Sequence, residues 1–355
     1  MSTREILILV NEYQRIQFID FLKAICIIAV ICIHTVNFSF SEKDITITAL
    51  YVDNICRFAV PLFFGVLGYM TIKKYTHVVN WRLFYKRKVV YLVVPHFLWA
   101  ICYYFIPTVY PFDNKNEGKE YWWQILNGES EVHLYFMVAY FLFLVITPLI
   151  VTLYRIVPKN KFIKLCIIGI ILHLLLLTYS DYITWSMHDD FWYTKLNYSL
   201  PIHWFSYYLT GSVLAIDNAY IIMLINRAQK RVCSLNNFLK CLVLYLIMVG
   251  VFLVTLRGLK AYATLHLYWI SIVALILIWG VYCYVQRTRV LNFFIFIGQN
   301  TFAIYLSHVL FLKIIYICLG KSSFPLNLII TFALGFVLSL MYIPIHHKLY
   351  NKRLL

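Results

Sequence analysis

The sequence predicts an all-α, polytopic integral membrane protein with about ten transmembrane helices and both termini in the cytoplasm. Of its 355 residues, 62% are hydrophobic and 13% are charged, and the mean hydropathy is +0.77. A soluble domain typically carries about 25% charged residues. This chain has too little polar surface to cover a water-soluble globule. Its composition therefore excludes a cytosolic enzyme, a secreted module, a disordered protein and an ordinary nucleic-acid-binding protein.

The apolar runs give the positions of the predicted spans. A transmembrane helix needs about 20 mostly apolar residues. About ten such runs occur, and polar residues interrupt the second and the sixth. We place the spans at 19–39, 55–72, 89–110, 133–154, 162–180, 202–224, 239–256, 264–285, 291–312 and 324–346. No linker or internal repeat divides the chain, so we expect a single membrane-embedded domain over 1–355, with a cytoplasmic lead-in at 1–17 and a tail at 347–355.

The lead-in is short and amphipathic, with charges at Arg4, Glu5, Glu12 and Arg15. The apolar run after it lacks a small-residue cleavage pattern and is too long for the hydrophobic region of a signal peptide. We therefore expect this run to be retained as the first span.

The distribution of charge gives the predicted orientation. With the N-terminus inside, most of the 31 basic residues fall in the inner segments, and most of the 15 acidic residues, Asp53 among them, fall on the outer side. Basic residues concentrate in cytoplasmic loops, whereas acidic residues are weak topology signals. Much of the net charge of +16 is then an orientation signal, and a nucleic-acid partner is not needed to explain it.

The nine cysteines lie mostly inside apolar runs, without a C-x-x-C motif or paired spacing. Cysteine behaves as a small hydrophobe in such surroundings. We therefore expect membrane-core residues, and neither disulfides nor zinc ligands.

Three ionisable residues form one stripe on the first span. Inserting an Asp, Lys or Arg at the centre of a transmembrane helix costs roughly 2.5 to 3.5 kcal/mol. Each such residue therefore indicates a structural or functional role. Lys23 and His34 fall within about 20° of each other on a helix, and Asp20 can pair with Lys23 at i,i+3. An uncharged imidazole can act as a base at neutral pH. The alternative is an interfacial ion pair, with His34 bonding another helix at the outer boundary.

Arg57 opens the second span and has two open interpretations. It could extend to the outer membrane interface, with its aliphatic stem along the apolar surface. It could instead face an internal cavity and supply a fixed cation.

The inner loop at 73–88 is the densest basic segment and ends in Lys86, Arg87 and Lys88. Such a segment can contact anionic lipid. It can also bind a polyanionic small molecule such as a phosphorylated cofactor. No P-loop, GxGxxG, HExxH or G-x-S-x-G motif occurs, so nucleotide hydrolysis and zinc hydrolysis have no support.

Two further histidines lie within predicted spans. His133 opens the fourth span just after Glu129 and Glu131, and His308 lies deep in the ninth. Each is a candidate site residue, and each could equally form a hydrogen bond in helix packing.

Short motifs recur along the predicted spans: Asp20-x-x-Lys23 with His34 in the first span, Arg57, Val60-Pro61-Leu62-Phe63-Phe64 and Gly68-Tyr69 in the second, His133-Leu134-Tyr135-Phe136 in the fourth, Phe205 and Tyr208-Leu209-Thr210-Gly211 in the sixth, and Thr301, Ile304-Tyr305-Leu306 and His308 in the ninth. Together these motifs resemble the acyltransferase-3 family of membrane acyltransferases, which includes many O-acetyltransferases of bacterial surface polysaccharides. The chain departs from the family pattern at three points: Lys23 stands where Arg is usual, Leu67 stands where Ser is common, and the third span has no R-x-x-R pair.

The resemblance implies an acetyl-CoA donor on the inner side and a hydroxyl acceptor, a cell-surface polysaccharide or its lipid-linked precursor, in the bacterial cytoplasmic membrane. Membrane lipids are the other expected partner, and no metal or nucleic acid is expected. The implied catalytic residues are His34, Asp20 and Lys23. The implied substrate-binding residues are Arg57, His133, Tyr305 and His308, and the implied CoA-phosphate contacts are Lys86, Arg87 and Lys88.

Two other classes of protein fit the same spans. A transporter or flippase for a lipid-linked saccharide also needs buried ionisable residues, although no paired broken helices or inverted repeat is evident in the sequence. A noncatalytic scaffold would have no use for the stripe of Asp20, Lys23 and His34. A measurement of acetyl transfer to a glycan distinguishes an enzyme from a transporter and from a scaffold.

Overall fold

A computed structural model describes residues 3–39, 47–76, 80–106, 120–187, 198–255, 262, 264–319 and 326–350. Every regular element among them is helical, which confirms the predicted fold class. A π-helical turn (Val89–Val93) joins α4 to α5, and a 3-10 turn (Pro201–His203) precedes α9. The α-helices are α1 (Thr3–Ser39), α2 (Ile47–Cys56), α3 (Ala59–Tyr75), α4 (Trp81–Lys88), α5 (Val94–Phe105), α6 (Tyr121–Leu126), α7 (Tyr135–Ile156), α8 (Lys159–Met187), α9 (Phe205–Leu214), α10 (Ala219–Val232), α11 (Leu235–Thr255), α12 (Leu265–Val285), α13 (Val290–Gln299), α14 (Thr301–Leu319) and α15 (Leu326–Leu349).

The helices are long and apolar enough for a polytopic membrane protein. Within the described residues, nine candidate spans occur, or ten if the bent pair of α9 and α10 counts as one span. Several helices turn large apolar side chains outward, such as Leu149 (69% exposed) on α7 and Val254 (79%) on α11. Surfaces of this kind suit contact with lipid chains. The first span is the most internal, since 72% of its apolar window is buried against 22% for the span over Trp81–Phe105.

The predicted ninth span, 291–312, is wrong in its limits because two helices meet inside it. α13 ends at Gln299 and α14 begins at Thr301. At the junction, the Asn300 amide donates to the carbonyls of Phe296 and Ile297, and the Thr301 hydroxyl donates to the Gly298 carbonyl. These local bonds end one helix and start the next. A short polar interruption of this kind barely changes the mean hydropathy of a 20-residue window.

The predicted sixth span, 202–224, is also not one straight helix. α9 and α10 meet at a bend of 99°. The Asn218 side chain accepts hydrogen bonds from the backbone amides of Tyr220 and Ile221, which starts a new helix at that point. The last turns of α10 carry exposed Arg227, Lys230 and Arg231, so this segment is amphipathic rather than apolar throughout.

The described helices fall into two compact units. Unit 1 comprises Met1–Ala59, Ile222–Gly258 and Trp269–His346, and unit 2 comprises Val60–Ile221, Leu259–Tyr268 and His347–Leu355. In unit 1, α1 packs on α2, α13 and α14. Phe18 contacts Trp279 of α12 at 4.4 Å between ring centroids, and Phe21 contacts Phe294 of α13 at 5.0 Å. These ring contacts fix the rotation of α1 about its own axis. They therefore determine which way its polar stripe of Asp20, Lys23 and His34 faces.

In unit 2, α3 and α9 touch through their backbones. A Cβ atom at Gly68 would lie 1.9 Å from the Tyr208 carbonyl oxygen, and one at Gly211 would lie 1.8 Å from the Gly65 carbonyl oxygen. Only glycine permits this approach. Phe64 stacks on Trp204 beside the crossing, with 4.8 Å between ring centroids. The glycines of the second-span and sixth-span motifs therefore serve helix packing.

The expectation that no cysteine forms a disulfide is wrong for one pair. Cys233, after α10, is disulfide-bonded to Cys283 of α12, and both belong to unit 1. The other seven cysteines are free. The two bonded residues lie 50 positions apart, so no local spacing rule could pair them. Their contact depends on how α12 packs beside the end of α10.

Candidate active site

The polar stripe of α1 is assembled as its helical period predicts. The Lys23 ammonium lies 2.6 Å from Asp20 Oδ1, and the two side chains are 26% and 13% exposed. His34 lies on the same helix, about 16 Å further along at 1.5 Å per residue, and is half-buried. Because of that separation, Lys23 and His34 cannot contact the same reacting carbonyl.

The junction between α13 and α14 contacts the first end of this stripe. Gln299 Nε2 donates to Asp20 Oδ2 at 3.4 Å. A Cβ atom at Gly298 would lie 1.9 Å from the Asp20 carbonyl oxygen, so glycine is required for the close approach of α13 to α1. Both oxygens of the Asp20 carboxylate are thus engaged, one by Lys23 and one by Gln299. This arrangement suits Asp20 for holding Lys23 rather than for taking a proton itself.

His308 of α14 contacts the second end of the stripe. The rings of His34 and His308 lie 5.2 Å apart between centroids, and His308 is fully buried. His308 Nδ1 lies 2.8 Å from the Tyr305 carbonyl oxygen and 3.2 Å from that of Ile304. Carbonyl oxygens only accept hydrogen bonds, so Nδ1 carries the hydrogen and the neutral ring has its lone pair on Nε2.

Tyr305 belongs to the same group. It is 7% exposed, and its ring centroid lies 6.1 Å from that of His308. Unit 1 therefore holds two contact groups along α1, with Asp20 and Lys23 at one end and His34, Tyr305 and His308 at the other.

Arg57 is a buried ion-pair partner, so its interpretation as a side chain at the membrane interface is wrong. Its Nε lies 2.8 Å and its Nη2 2.7 Å from Asp53 Oδ2, and the side chains of Arg57 and Asp53 are 2% and 0% exposed. Asp53, counted as an outer-loop charge from the sequence, lies within α2 instead. The i,i+4 spacing of Asp53 and Arg57 was a readable signal for this pair, but the predicted span began two residues too late to include Asp53.

His133 belongs to unit 2 and is not part of the group around α1 in unit 1. It is 3% exposed and packs edge-on against Tyr103, with 5.2 Å between ring centroids. Its backbone carbonyl accepts from the amide of Phe136 at the start of α7.

The three basic residues at the end of α4 differ from one another. Lys86 and Arg87 are exposed, whereas Lys88 is half-buried. The Lys88 ammonium lies 5.7 Å from the centroid of the Phe84 ring and 5.9 Å from that of Tyr75, which are cation–π distances. Lys86 and Arg87 are thus available to a polyanion, while Lys88 contributes to packing.

Other basic residues of unit 2 gather at the same end as α4. The Arg155 guanidinium, at the end of α7, donates to the backbone carbonyls of Tyr75 and Thr76. Lys73 pairs with Asp217 at 3.2 Å. The C-terminal ends of α3 and α7 therefore lie together, as the predicted topology requires.

Sequence reasoning missed Asp53, Gly298 and Gln299 as site residues. Only Asp53 carried a local signal, because the partner of Gly298 and Gln299 is Asp20, far away in the chain. Among the described residues, no group of three or more His, Cys, Asp or Glu side chains could hold a metal ion. Several of the charges that the orientation prediction places in outer loops lie outside the described residues, for example Glu42, Lys43, Asp44, Lys115, Asp189 and Lys195.

Comparison with known proteins adds one finding. A family model described as an acyltransferase domain matches residues 16–344, nearly the whole chain. No curated protein and no solved structure matches the chain. All of the candidate residues on α1, α2, α4 and α14 lie within the matched range.

Proposed function

The chain belongs to the acyltransferase-3 family and is a membrane acyltransferase, and from this premise we propose that it transfers an acetyl group from acetyl-CoA to a hydroxyl of a cell-surface polysaccharide or its lipid-linked precursor. The observation that carries the proposal is the assembled α1 stripe, with the Asp20–Lys23 ion pair at one end and the His34–His308 contact at the other. The proposed location is the bacterial cytoplasmic membrane, with both termini in the cytoplasm, and the charge distribution supports this orientation.

His34 is the proposed general base. Ester formation needs a group that takes the proton of the acceptor hydroxyl as its oxygen attacks the thioester carbonyl. The carbon–oxygen bond then forms, the carbon–sulfur bond breaks, and the CoA thiolate leaves. His308 is a positioning residue in this scheme, because the Tyr305 carbonyl holds its ring and that ring lies 5.2 Å from the His34 ring between centroids.

Lys23 is proposed to act on the donor rather than at the base. It lies about 16 Å along α1 from His34, so its ammonium is suited to a polar group elsewhere on an extended acyl-CoA. Asp20 holds the Lys23 ammonium in place, and Gln299 in turn holds Asp20. The exposed Lys86 and Arg87 are the proposed contacts of CoA phosphates. Arg57 and Tyr305 are proposed to line the acceptor path, although Asp53 neutralises the charge of Arg57. His133 remains a proposed acceptor contact from unit 2.

Replacing His34 tests the proposal. We expect His34→Ala to lower acetyl transfer at least about 100-fold, since a general base contributes roughly 10²- to 10⁴-fold. Transfer is measured as label moved from radioactive acetyl-CoA into the glycan of isolated membranes, at equal protein abundance. Binding of acetyl-CoA should be unchanged.

His346→Ala is the matched control. His346 is a half-buried histidine of unit 1 that contacts Phe302 and Tyr342, and its variant should keep wild-type transfer. Wild-type transfer by His34→Ala would refute the base assignment. Glycan translocation without any acetyl transfer by the unaltered protein would favour a flippase instead.

A further inference from the structure

The disulfide between Cys233 and Cys283 lies at the predicted cytoplasmic end of unit 1. Cys233 follows α10, in the inner segment between the predicted spans 202–224 and 239–256, and Cys283 lies in the last turn of α12, at the inner end of another span. Disulfides are rare in the reducing cytosol, and those that occur there are usually transient and either catalytic or redox-sensing. A permanent structural bond is therefore not the expected role of this pair.

Small reagents can reach the two cysteines from the aqueous side. Both residues are half-buried rather than buried, and exposed Ser234 and Arg287 lie close to them in the sequence. Access of this kind is a condition for thiol–disulfide exchange, since the attacking thiolate must touch one of the two sulfurs.

Contacts other than the sulfur–sulfur bond hold the two cysteines side by side. Their Cα atoms are 6.0 Å apart, an ordinary separation for a disulfide. The Tyr284 hydroxyl donates to the Cys233 carbonyl at 3.2 Å, and the Tyr284 ring packs on Phe238 at 6.2 Å between centroids. Gly280 lets α12 lie against the same ring, since a Cβ atom there would be 2.7 Å from it. None of these contacts depends on the bond, so the two thiols of the reduced protein stay close enough to form it again.

The charge around the pair is positive. The sequence has no acidic residue after Asp217, and the four charges of the lead-in at 1–17 cancel. Asp20, at the same end of unit 1, is paired with Lys23. Positive charge attracts anionic reagents and repels cationic ones, so small thiols that carry carboxylates or phosphates are the class that this surface favours. The exposed basic residues that flank the two cysteines are Lys230, Arg231, Lys240, Arg287 and Arg289.

The part of α12 that the disulfide ties down also supports α1. Tyr282, next to Cys283, is 1% exposed and packs on Phe18 and Phe21, with 5.4 Å and 5.6 Å between ring centroids. Phe18 and Phe21 lie on either side of Asp20 in the sequence. A bond at Cys283 therefore restrains the segment that holds the first end of the polar stripe.

We propose that Cys233 and Cys283 form a reversible thiol–disulfide site on the cytoplasmic side, with anionic low-molecular-weight thiols and their disulfides as exchange partners. In the reducing direction, the thiolate of a small thiol attacks one cysteine sulfur and forms a mixed disulfide, and the other cysteine leaves as a thiolate. A second small thiol attacks the mixed disulfide, so that one small disulfide leaves and the protein gains two electrons and two protons. Oxidation is the reverse, and it ties the end of α12 to the chain between α10 and α11.

Counting thiols in the full-length protein tests the bond itself. Membranes are denatured in a polymer-linked maleimide, with or without earlier reduction by dithiothreitol, and the added mass is read on a gel. Reduction should expose two further thiols in the wild type and in the control Cys318→Ser, which removes an exposed free cysteine. It should expose none in Cys233→Ser or Cys283→Ser. Reduction should also lower the Tm of the detergent-solubilised wild type but not that of these two variants. No gain of thiols, or a wild-type Tm that does not respond, would overturn the proposal.

The class of exchange partner is tested by the charge of the oxidant. Reduced protein is treated with oxidised glutathione, which is anionic, or with cystamine, which is cationic, and each rate is divided by the rate of the same oxidant with a free thiol in solution. We expect glutathione to be favoured at least about tenfold at low ionic strength, and much less in about 0.5 M salt because of screening. Arg231→Gln/Arg287→Gln should weaken the preference, whereas Arg231→Lys/Arg287→Lys should keep it. An equal rate for both oxidants would contradict the anionic class.

Reversibility and location are tested in cells and in sealed right-side-out membrane vesicles. In cells, the oxidised fraction of the pair, trapped with acid, should rise on addition of diamide and fall again after its removal. In vesicles, dithiothreitol should reduce the bond, whereas a membrane-impermeant phosphine should not. A pair that stays oxidised throughout, never oxidises, or yields to the impermeant reductant overturns the inference. These outcomes do not depend on acetyl transfer, so the site and the proposed function can fail separately.

Discussion

At the scale of single residues, the clearest chemical constraint is on His308. Its own helix supplies two backbone carbonyls to Nδ1, from Ile304 and Tyr305. A buried imidazole held in this way keeps one tautomer and one ring orientation, which fixes the position of its lone pair on Nε2. His34 lies on α1 with its ring 5.2 Å from that of His308 between centroids, and in the proposed scheme His308 orients it without itself reacting with substrate.

Two substitutions of His308 test this positioning role. An asparagine amide reaches about as far as Nδ1 and can donate to the carbonyls, but offers no acceptor in the place of Nε2. A glutamine amide reaches further, to about the place of Nε2. We expect His308→Asn to lower kcat at least about tenfold, with the KM for acetyl-CoA unchanged, and His308→Gln to recover part of the loss. Steady-state acetyl transfer in membranes measures both constants. Equal kcat values for the two variants, or a change confined to KM, would contradict a role through His34.

At the scale of helices, the break between α13 and α14 determines how the stripe of α1 is held. Gly298 lets the backbone of α13 touch α1 at Asp20, and Gln299 then contacts the Asp20 carboxylate. The break at Asn300 lets α14 start afresh beside α1 and bring His308 to His34. If one continuous helix covered the same residues, the side chains that make these contacts would point in different directions around its axis. The junction thus links both ends of the stripe.

Gly298→Ala should disrupt this junction. The added Cβ atom would lie 1.9 Å from a backbone oxygen and 2.6 Å from a backbone carbon of Asp20, so the helices themselves must separate. We expect a loss of about 1–3 kcal/mol of stability, as for overpacked cores, seen as a lower Tm of the detergent-solubilised protein.

Gly250→Ala is the matched control for the same measurement. Gly250 lies within α11, where a Cβ atom would meet only Tyr51, at 3.9 Å. Alanine is favoured over glycine inside a helix by up to about 1 kcal/mol, so Tm should hold or rise. An unchanged Tm in Gly298→Ala would show that α1 and α13 are not in backbone contact.

At the scale of the whole molecule, hydropathy was sufficient to find most of the spans, because a bilayer imposes a minimum length of apolar helix. The 100° period of a helix was likewise sufficient to join Asp20, Lys23 and His34, since all three lie on one element. Contacts between distant helices were not predictable in this way. Gln299 reaches Asp20, and Cys233 pairs with Cys283, through packing that no local pattern encodes. The break at Asn300 was missed because the flanking residues remain apolar.

The orientation of the chain in the membrane yields the last prediction. α8 has Lys159, Lys161 and Lys164 at its start, while Asp181 lies near its end. Basic residues stay on the cytoplasmic side, so the start of α8 should face the cytoplasm. We replace exposed Lys159 or exposed Tyr182 with cysteine, in a background whose exposed Cys102 and Cys318 are alanine. In intact cells, a membrane-impermeant maleimide should label Tyr182→Cys at once and Lys159→Cys only after permeabilisation, with the background alone as the blank. If the labelling order were reversed, every span would have the opposite orientation. His34 would then lie at the cytoplasmic end of α1, where the proposed acceptor is absent.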